Sequence, residues 1–141
     1  MNGFLGTSAT LNSDLSLVIP LALWVVAVGG ALQAHRKRFS KHCPVMAWAA
    51  LLNWLPILIV MIPNWLRLVT GTSTLQVTTI PIGHGILGAV VQLLMTYTVT
   101  RMYWVESLPP NRPLWLMRTT IGLWTLTAIG GVVVYFSVYV I

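Results

Sequence analysis

The sequence predicts an all-α integral membrane protein, a single domain over residues 1–141 in which four helices form an up–down bundle. Two observations lead to this prediction. Hydrophobic residues make up 57% of the chain and charged residues only 7%, whereas roughly 25% of a typical soluble domain is charged. In addition, four stretches each supply the ~20 apolar residues that a helix needs to cross ~30 Å of hydrocarbon. Most of the surface must therefore face lipid.

The four predicted spans cover about residues 15–34, 44–62, 82–103 and 114–140. Residues 12–14, Asn-Ser-Asp, are the expected N-cap of the first span. In the second span, Pro44 suits the first helical turn, Pro56 predicts a kink and Pro63 is expected to end the helix.

The distribution of basic residues predicts the orientation of the spans. Only Arg67 lies on one side, and seven basic residues lie on the other: Arg36, Lys37, Arg38, Lys41, Arg101, Arg112 and Arg118. Because basic loops stay in the cytoplasm, both short loops are expected to be cytoplasmic and both termini external, in a prokaryotic plasma membrane. Residues 1–13 are expected to lie at the external interface through Phe4 and Leu5.

The basic loop after the first span also indicates a partner, the lipid bilayer itself. Its cations lie beside apolar runs, where anionic lipid headgroups attract them: Arg36, Lys37, Arg38 and Lys41. No basic face with interleaved aromatic residues is present, so we do not expect nucleic-acid binding.

Polar residues inside the spans are informative because they are costly at membrane depth. At helical spacing they share one face of each of the last three spans, and these faces are expected to converge inside the bundle. The faces carry His42, Met46, Asn53, Val60 and Asn64; His84, Gly88, Val91, Gln92 and Met95; and Thr120, Trp124, Thr127, Gly131 and Tyr135. Asn53 and Gln92 are interpreted first as interhelical hydrogen-bond partners. The alternative is that they line a cofactor or quinone cavity.

Three histidines are the natural candidates for haem or copper ligands. His35 and His42 flank the basic loop, whereas His84 begins the third span on the opposite side. Two imidazoles that share one ion must bring their nitrogens within roughly 4 Å, and the membrane faces are ~30 Å apart. The predicted topology therefore excludes a site that combines His84 with either of the others.

The first candidate site lies on the cytoplasmic side. It would use His35 and His42, with Cys43 or Met46 nearby. The favoured alternative is that both histidines are interfacial residues of a loop that binds lipid phosphate.

The second candidate site lies on the external side. It would use His84 with Met61, supported by Asn64 or Tyr135. A histidine–methionine pair suits the iron of haem b, or copper, because a thioether is a soft ligand. The favoured alternative is a histidine at a helix start that is hydrogen-bonded inside the bundle, with no cofactor.

The sequence carries no catalytic signature. Asp14 and Glu106 lie on opposite sides, so no carboxylate pair is available for acid–base chemistry. The single cysteine, Cys43, excludes an intrachain disulfide and any CxxC motif. No GxSxG, HExxH or phosphate-binding glycine loop is present. We therefore do not expect an enzyme that acts alone.

Three segments resemble those of a known family: residues 35–63, His84-Gly85 and residues 117–135. Together they make the chain similar to the YozB-like membrane proteins, a family of small four-helix proteins with histidines near the span ends. The resemblance implies a role in the maturation of haem–copper terminal oxidases. It also implies that His35, His42 and His84 are the first residues to test.

The leading hypothesis is an accessory or assembly membrane protein of a respiratory or other redox complex, with haem or copper as its candidate cofactor. The alternative is a cofactor-free structural subunit that packs against larger membrane protein subunits. A transporter or channel is less favoured, because no charge is predicted at the midplane to relay an ion.

Overall fold

The computed structural model of the chain describes residues 3–71, 79–104 and 114–140. Its helical elements, in chain order, are α1 (Leu11–His35), α2 (Phe39–Leu52), α3 (Trp54–Pro56), a π-helical turn (Ile57–Met61), α4 (Ile62–Val69), α5 (Thr79–Trp104) and α6 (Leu114–Tyr139). The elements from α2 to α4 follow one another, with only Asn53 between α2 and α3. They therefore form one interrupted span.

Four helical segments are long and apolar enough to cross a membrane: Leu11–His35, Phe39–Arg67, Thr79–Met102 and Leu114–Tyr139. The prediction of an all-α chain with four such helices is thereby confirmed for the residues that the structure describes. These helices are consistent with an integral membrane protein.

Helix α1 begins at Leu11, earlier than the sequence predicts, and a different residue caps it. Thr10 has an extended backbone (φ −80°, ψ 161°), and its hydroxyl accepts a hydrogen bond from the Ser13 N–H at 3.4 Å. The predicted cap at residues 12–14 is therefore wrong. The reason is that the Asp14 carboxylate accepts from the preceding segment instead of capping its own helix.

The second span extends beyond its predicted bounds of residues 44–62. It begins at Phe39 and continues to Val69, so Pro63 does not end the helix. Pro63 is tolerated because it lies in the first turn of α4, where a backbone N–H is not needed.

The second span is interrupted beside Pro56, where the sequence predicts a kink. The Asn53 backbone stays in the right-handed helical region (φ −67°, ψ −16°), and the π-helical turn follows Pro56 directly. In this turn the Ile62 N–H donates to the Ile57 carbonyl, five residues back. Turns of this kind are rare and are frequently found at functional sites.

Neighbouring spans run in opposite directions. Helices α1 and α5 each pack on α2 and on α6. Between α1 and α6, Asp14 contacts Tyr135 and Trp24 contacts Thr125, so one residue number rises as the other falls. Residues 3–10 and the last turn of α6 therefore lie together, at what we call the terminal end. The opposite end, called the basic end, carries Arg36, Lys37, Arg38, Lys41, Arg101 and Arg118.

The interior is narrow and is built largely from small or flexible side chains. The buried cluster consists of Ala27, Ala49, Ala50, Val91, Met95 and Trp124. Thr120 and Tyr135 are also buried, so the interior faces predicted for α5 and α6 are confirmed at these positions. Only 11–22% of each span is buried inside the chain, and most of every helix is therefore left to contact lipid or another protein.

Helices α4 and α5 approach closely at a glycine. The indole of Trp65 lies on Gly85, and a Cβ at that position would be 2.7 Å from the indole Nε1. This is closer than non-bonded atoms tolerate. Small residues have this role in membrane helices, because they let the backbones come together.

Substituting Gly85 by alanine should destabilise the protein, because the added methyl group overlaps Trp65. Overpacking costs about 1–3 kcal/mol, which exceeds the roughly 1 kcal/mol that alanine contributes as a better helix former. Thermal unfolding in detergent micelles measures the effect. Gly83→Ala is the matched control, since nothing lies near that position, and it should unfold at the same or a higher temperature. Equal melting temperatures for the two variants would contradict the close contact.

Candidate functional site

An amide pair joins the second span to α5 in the interior. Asn53 is 7% exposed and Gln92 is 1% exposed. Asn53 Nδ2 donates to Gln92 Oε1 at 2.8 Å, and Gln92 Nε2 donates to the Ala50 carbonyl at 3.0 Å. The structure thus brings together the two polar residues that stand out in the sequence and links them across the helix interface.

The Ala50 carbonyl determines how both amides are oriented. Because a carbonyl can only accept, it must face Gln92 Nε2. Gln92 Oε1 then faces Asn53, and because this oxygen only accepts, Asn53 must donate from Nδ2. Asn53 Oδ1 consequently points away, and it is buried without a hydrogen-bond partner in the described part of the chain. Asn53 is three residues before Pro56, which has no N–H to donate to the Leu52 carbonyl.

A second polar group occupies the terminal end and is centred on Asp14, which is fully buried. Its Oδ2 accepts from the Leu5 N–H at 2.9 Å, and its Oδ1 accepts from the Tyr135 hydroxyl at 2.5 Å. Thr7 Oγ1 lies 2.6 Å from the same Tyr135 oxygen. A buried carboxylate requires such donors, so these contacts hold the N-terminal segment against α1 and α6.

Residues 3–10 form a strap across the terminal end. The Gly3 N–H donates to the Ala9 carbonyl at 2.8 Å, which closes the strap on itself. The Ser8 hydroxyl donates to the Tyr139 carbonyl at 3.0 Å, and Ser13 Oγ lies 2.9 Å from the Tyr139 hydroxyl. The sequence did not predict this cluster, because residues 12–14 were interpreted as an N-cap and Tyr135 as a supporting residue of the candidate site around His84.

His84 packs directly on the backbone of α6. A Cβ at Gly130 would lie 3.1 Å from His84 Nδ1, and one at Gly131 would lie 3.5 Å from Cε1. Nδ1 is buried and has no hydrogen-bond partner among the described residues, and the same is true of Trp65 Nε1. Nδ1 therefore does not form, with any residue that the structure describes, the hydrogen bond that we expected for a histidine at a helix start.

The histidines of the basic end have different environments. His42 Nδ1 lies 2.8 Å from the Gly30 carbonyl, and because a carbonyl only accepts, this nitrogen carries the proton. The bond ties α2 to α1. His35 is exposed, so the structure gives His42 a backbone partner and leaves His35 outside the interior.

His42 and His84 lie far apart along the bundle. Gly30, the partner of His42, is sixteen residues from Asp14, whereas Gly131, which contacts His84, is four residues from Tyr135. Since Asp14 and Tyr135 touch, a rise of ~1.5 Å per residue places the two rings roughly 18 Å apart. One ion cannot bridge them.

The remaining candidate ligands are dispersed. Met61 is half-buried at the end of the π-helical turn, and Asn64 is exposed in α4. Cys43 is a free, half-buried thiol and Met46 is half-buried on α2. Within residues 3–71, 79–104 and 114–140, no three His, Cys, Asp or Glu side chains gather as a metal site would require. Glu106 and Arg112 lie outside the described residues.

Comparison of the chain with protein-family profiles, with curated proteins and with solved structures finds no match in any of the three. The resemblance to the YozB-like proteins therefore stays a prediction that rests on the short segments quoted for it.

Replacing Asn53 by leucine should lower the free energy of unfolding, because Gln92 Oε1 loses its donor. Interhelical hydrogen bonds in membrane proteins contribute about 0.6 kcal/mol on average and up to ~1.7 kcal/mol. Gln92→Leu should cost more, because it also removes the bond to the Ala50 carbonyl. The double variant should cost less than the two losses together, since the two single variants lose the same Asn53–Gln92 bond. Asn64→Leu, at an exposed position of the same span, is the control. Additive losses in reversible unfolding would show that the pair is not coupled.

Replacing Asp14 by alanine should release the strap, because the Leu5 N–H and the Tyr135 hydroxyl lose their acceptor. Amide hydrogen exchange of residues 3–10, followed by mass spectrometry, should become faster. The control is Asn12→Ala, an exposed position on the same turn of α1. Unchanged exchange in the Asp14 variant would show that Asp14 does not hold the strap in place.

Proposed function

We propose that this chain is a small accessory or assembly membrane protein of a respiratory or other redox complex. The environment of His84 carries the proposal. Its buried Nδ1 has no partner among the described residues, whereas the His42 ring is bonded to Gly30 and His35 is exposed. A neutral imidazole in apolar surroundings is a natural ligand for haem iron or copper.

The surroundings of His84 fit one ligand of such a group and not a complete site. Both ring nitrogens lie beside glycines of α6, Nδ1 by Gly130 and Nε2 by Gly131, and Nδ1 is the one buried without a partner among the described residues. No three potential metal-binding side chains gather in the described part of the chain, and Met61 or a residue of a partner subunit would have to complete the coordination. Haem b or copper, when bound, supplies one-electron transfer. The chain itself contributes a ring held in place against Gly130 and Gly131.

The proposed placement is an up–down bundle in a prokaryotic plasma membrane, with the basic end cytoplasmic and both termini external. The excess of basic residues at one end supports this orientation. Anionic lipid headgroups then bind Arg36, Lys37, Arg38 and Lys41. The apolar sides of the helices are available to larger membrane subunits.

A cofactor-free structural subunit is the second candidate, and the polar interior favours it. Asn53 bonds to Gln92, Asp14 accepts from Tyr135, and His42 bonds to a backbone carbonyl. Side chains that satisfy one another in this way hold helices together without any bound group. Under this reading His84 is a packing residue on the glycines of α6.

The two candidates differ in what the purified protein contains. If His84 is a ligand, the protein purified with its partners should show a reduced-minus-oxidised haem band or bound copper, and His84→Gln should abolish that signal. The matched control is His35→Gln, which should leave the signal unchanged because His35 is exposed at the basic end. Metal analysis and spectra that show neither haem nor copper would leave only the structural role.

A further inference from the structure

A groove of about 150 Å³ runs along the outside of the bundle between the second span and α5. Ala47, Ala50 and Trp54 line one side, and Thr96 and Thr100 line the other. Alanine and threonine are short, which is why two packed helices leave a depression here. The groove is open to the surroundings of the bundle, so any occupant comes from the membrane or from another chain.

The polar groups along the groove are already used. Trp54 Nε1 donates to Thr96 Oγ1 at 3.1 Å, and Thr96 Oγ1 donates to the Gln92 carbonyl at 2.9 Å. Ala47 and Ala50 present only methyl groups. Among the lining side chains, this leaves the exposed hydroxyl of Thr100, near the basic end. The groove therefore suits hydrocarbon along its length and a polar group at one end.

The basic residues near that end of the groove favour an occupant with a negative charge. Lys41 lies six residues before Ala47, about 9 Å along α2, and Arg38 lies just before that helix begins. Both side chains are exposed. Asp14, the one carboxylate in the described part of the chain, lies at the opposite end of the bundle. A negatively charged group at the mouth of the groove would meet these cations.

We propose that this groove binds a segment of one acyl chain of an anionic phospholipid, whose phosphate lies beside Arg38 and Lys41. The apolar lining of the groove accounts for the position of the acyl chain. The basic end accounts for the preference for a negatively charged headgroup. This site goes beyond the proposed redox role and needs no cofactor. It rests only on the membrane placement of the basic end that is part of the proposed function.

The test is reconstitution of the full chain into bilayers of equimolar phosphatidylglycerol and phosphatidylcholine, followed by extraction in mild detergent and native mass spectrometry. The protein should retain phosphatidylglycerol in preference to phosphatidylcholine. Lys41→Gln should lower this preference about fivefold, since each basic residue near an anionic surface contributes ~1 kcal/mol. Arg67→Gln, at the other end of the same span, is the matched control and should leave the preference unchanged.

A second pair of variants tests the groove itself. Ala47→Leu fills it and should abolish the retained lipid, whereas Ala22→Leu, at an exposed position of α1, should not. Circular dichroism checks folding, and if Ala47→Leu does not fold, the Lys41 and Arg67 pair decides. Equal retention of both lipids, or unchanged retention in Ala47→Leu, overturns the proposal. His84→Gln should retain the lipid, so a failed cofactor assay and a failed lipid assay are distinguishable.

Discussion

Hydrocarbon offers no hydrogen bonds, so a polar group at membrane depth gains stability by pairing inside the protein. This constraint organises the bundle. Two indole N–H groups donate to threonine hydroxyls on a neighbouring helix, Trp24 to Thr125 and Trp54 to Thr96. The Asn53–Gln92 pair acts between the same helices as the second of these bonds. These few directional bonds act together with close packing at small residues, such as Trp65 on Gly85, to align the helices.

The two ends of the bundle differ in how their polar and charged groups are paired. At the basic end, cations project from the helix termini and a histidine ring closes onto the Gly30 carbonyl. At the terminal end, a buried carboxylate gathers the N-terminal strap and Tyr135 around it. One end thus offers several cations to its surroundings, while the other satisfies its buried carboxylate internally. His84 lies about one helical turn below the strap, on the glycines that lead up to Tyr135.

Composition and spacing were sufficient to predict the helices and much of their orientation about their own axes. Runs of apolar residues predicted the four spans, and helical periodicity placed Val91, Gln92 and Trp124 in the interior, where they are buried. The N-cap was predicted wrongly because Asp14 takes part in a tertiary contact with Tyr135, a residue far away in the chain. The strap and the lone Nδ1 of His84 likewise depend on which helices become neighbours. Local propensity contains no information about that choice.

The continuation of the second span past Pro63 was missed for a related reason, because a proline lacks a backbone N–H and commonly kinks or ends an α-helix. The π-helical turn Ile57–Met61 precedes Pro63 and closes its hydrogen bond over five residues. The π-helical turn also changes the helical register of the residues that follow it. A turn closed over five residues instead of four places one additional residue in the span, which rotates everything after it by about 100°. Without that rotation, α4 would present a different face to α5, and the indole of Trp65 would not meet Gly85.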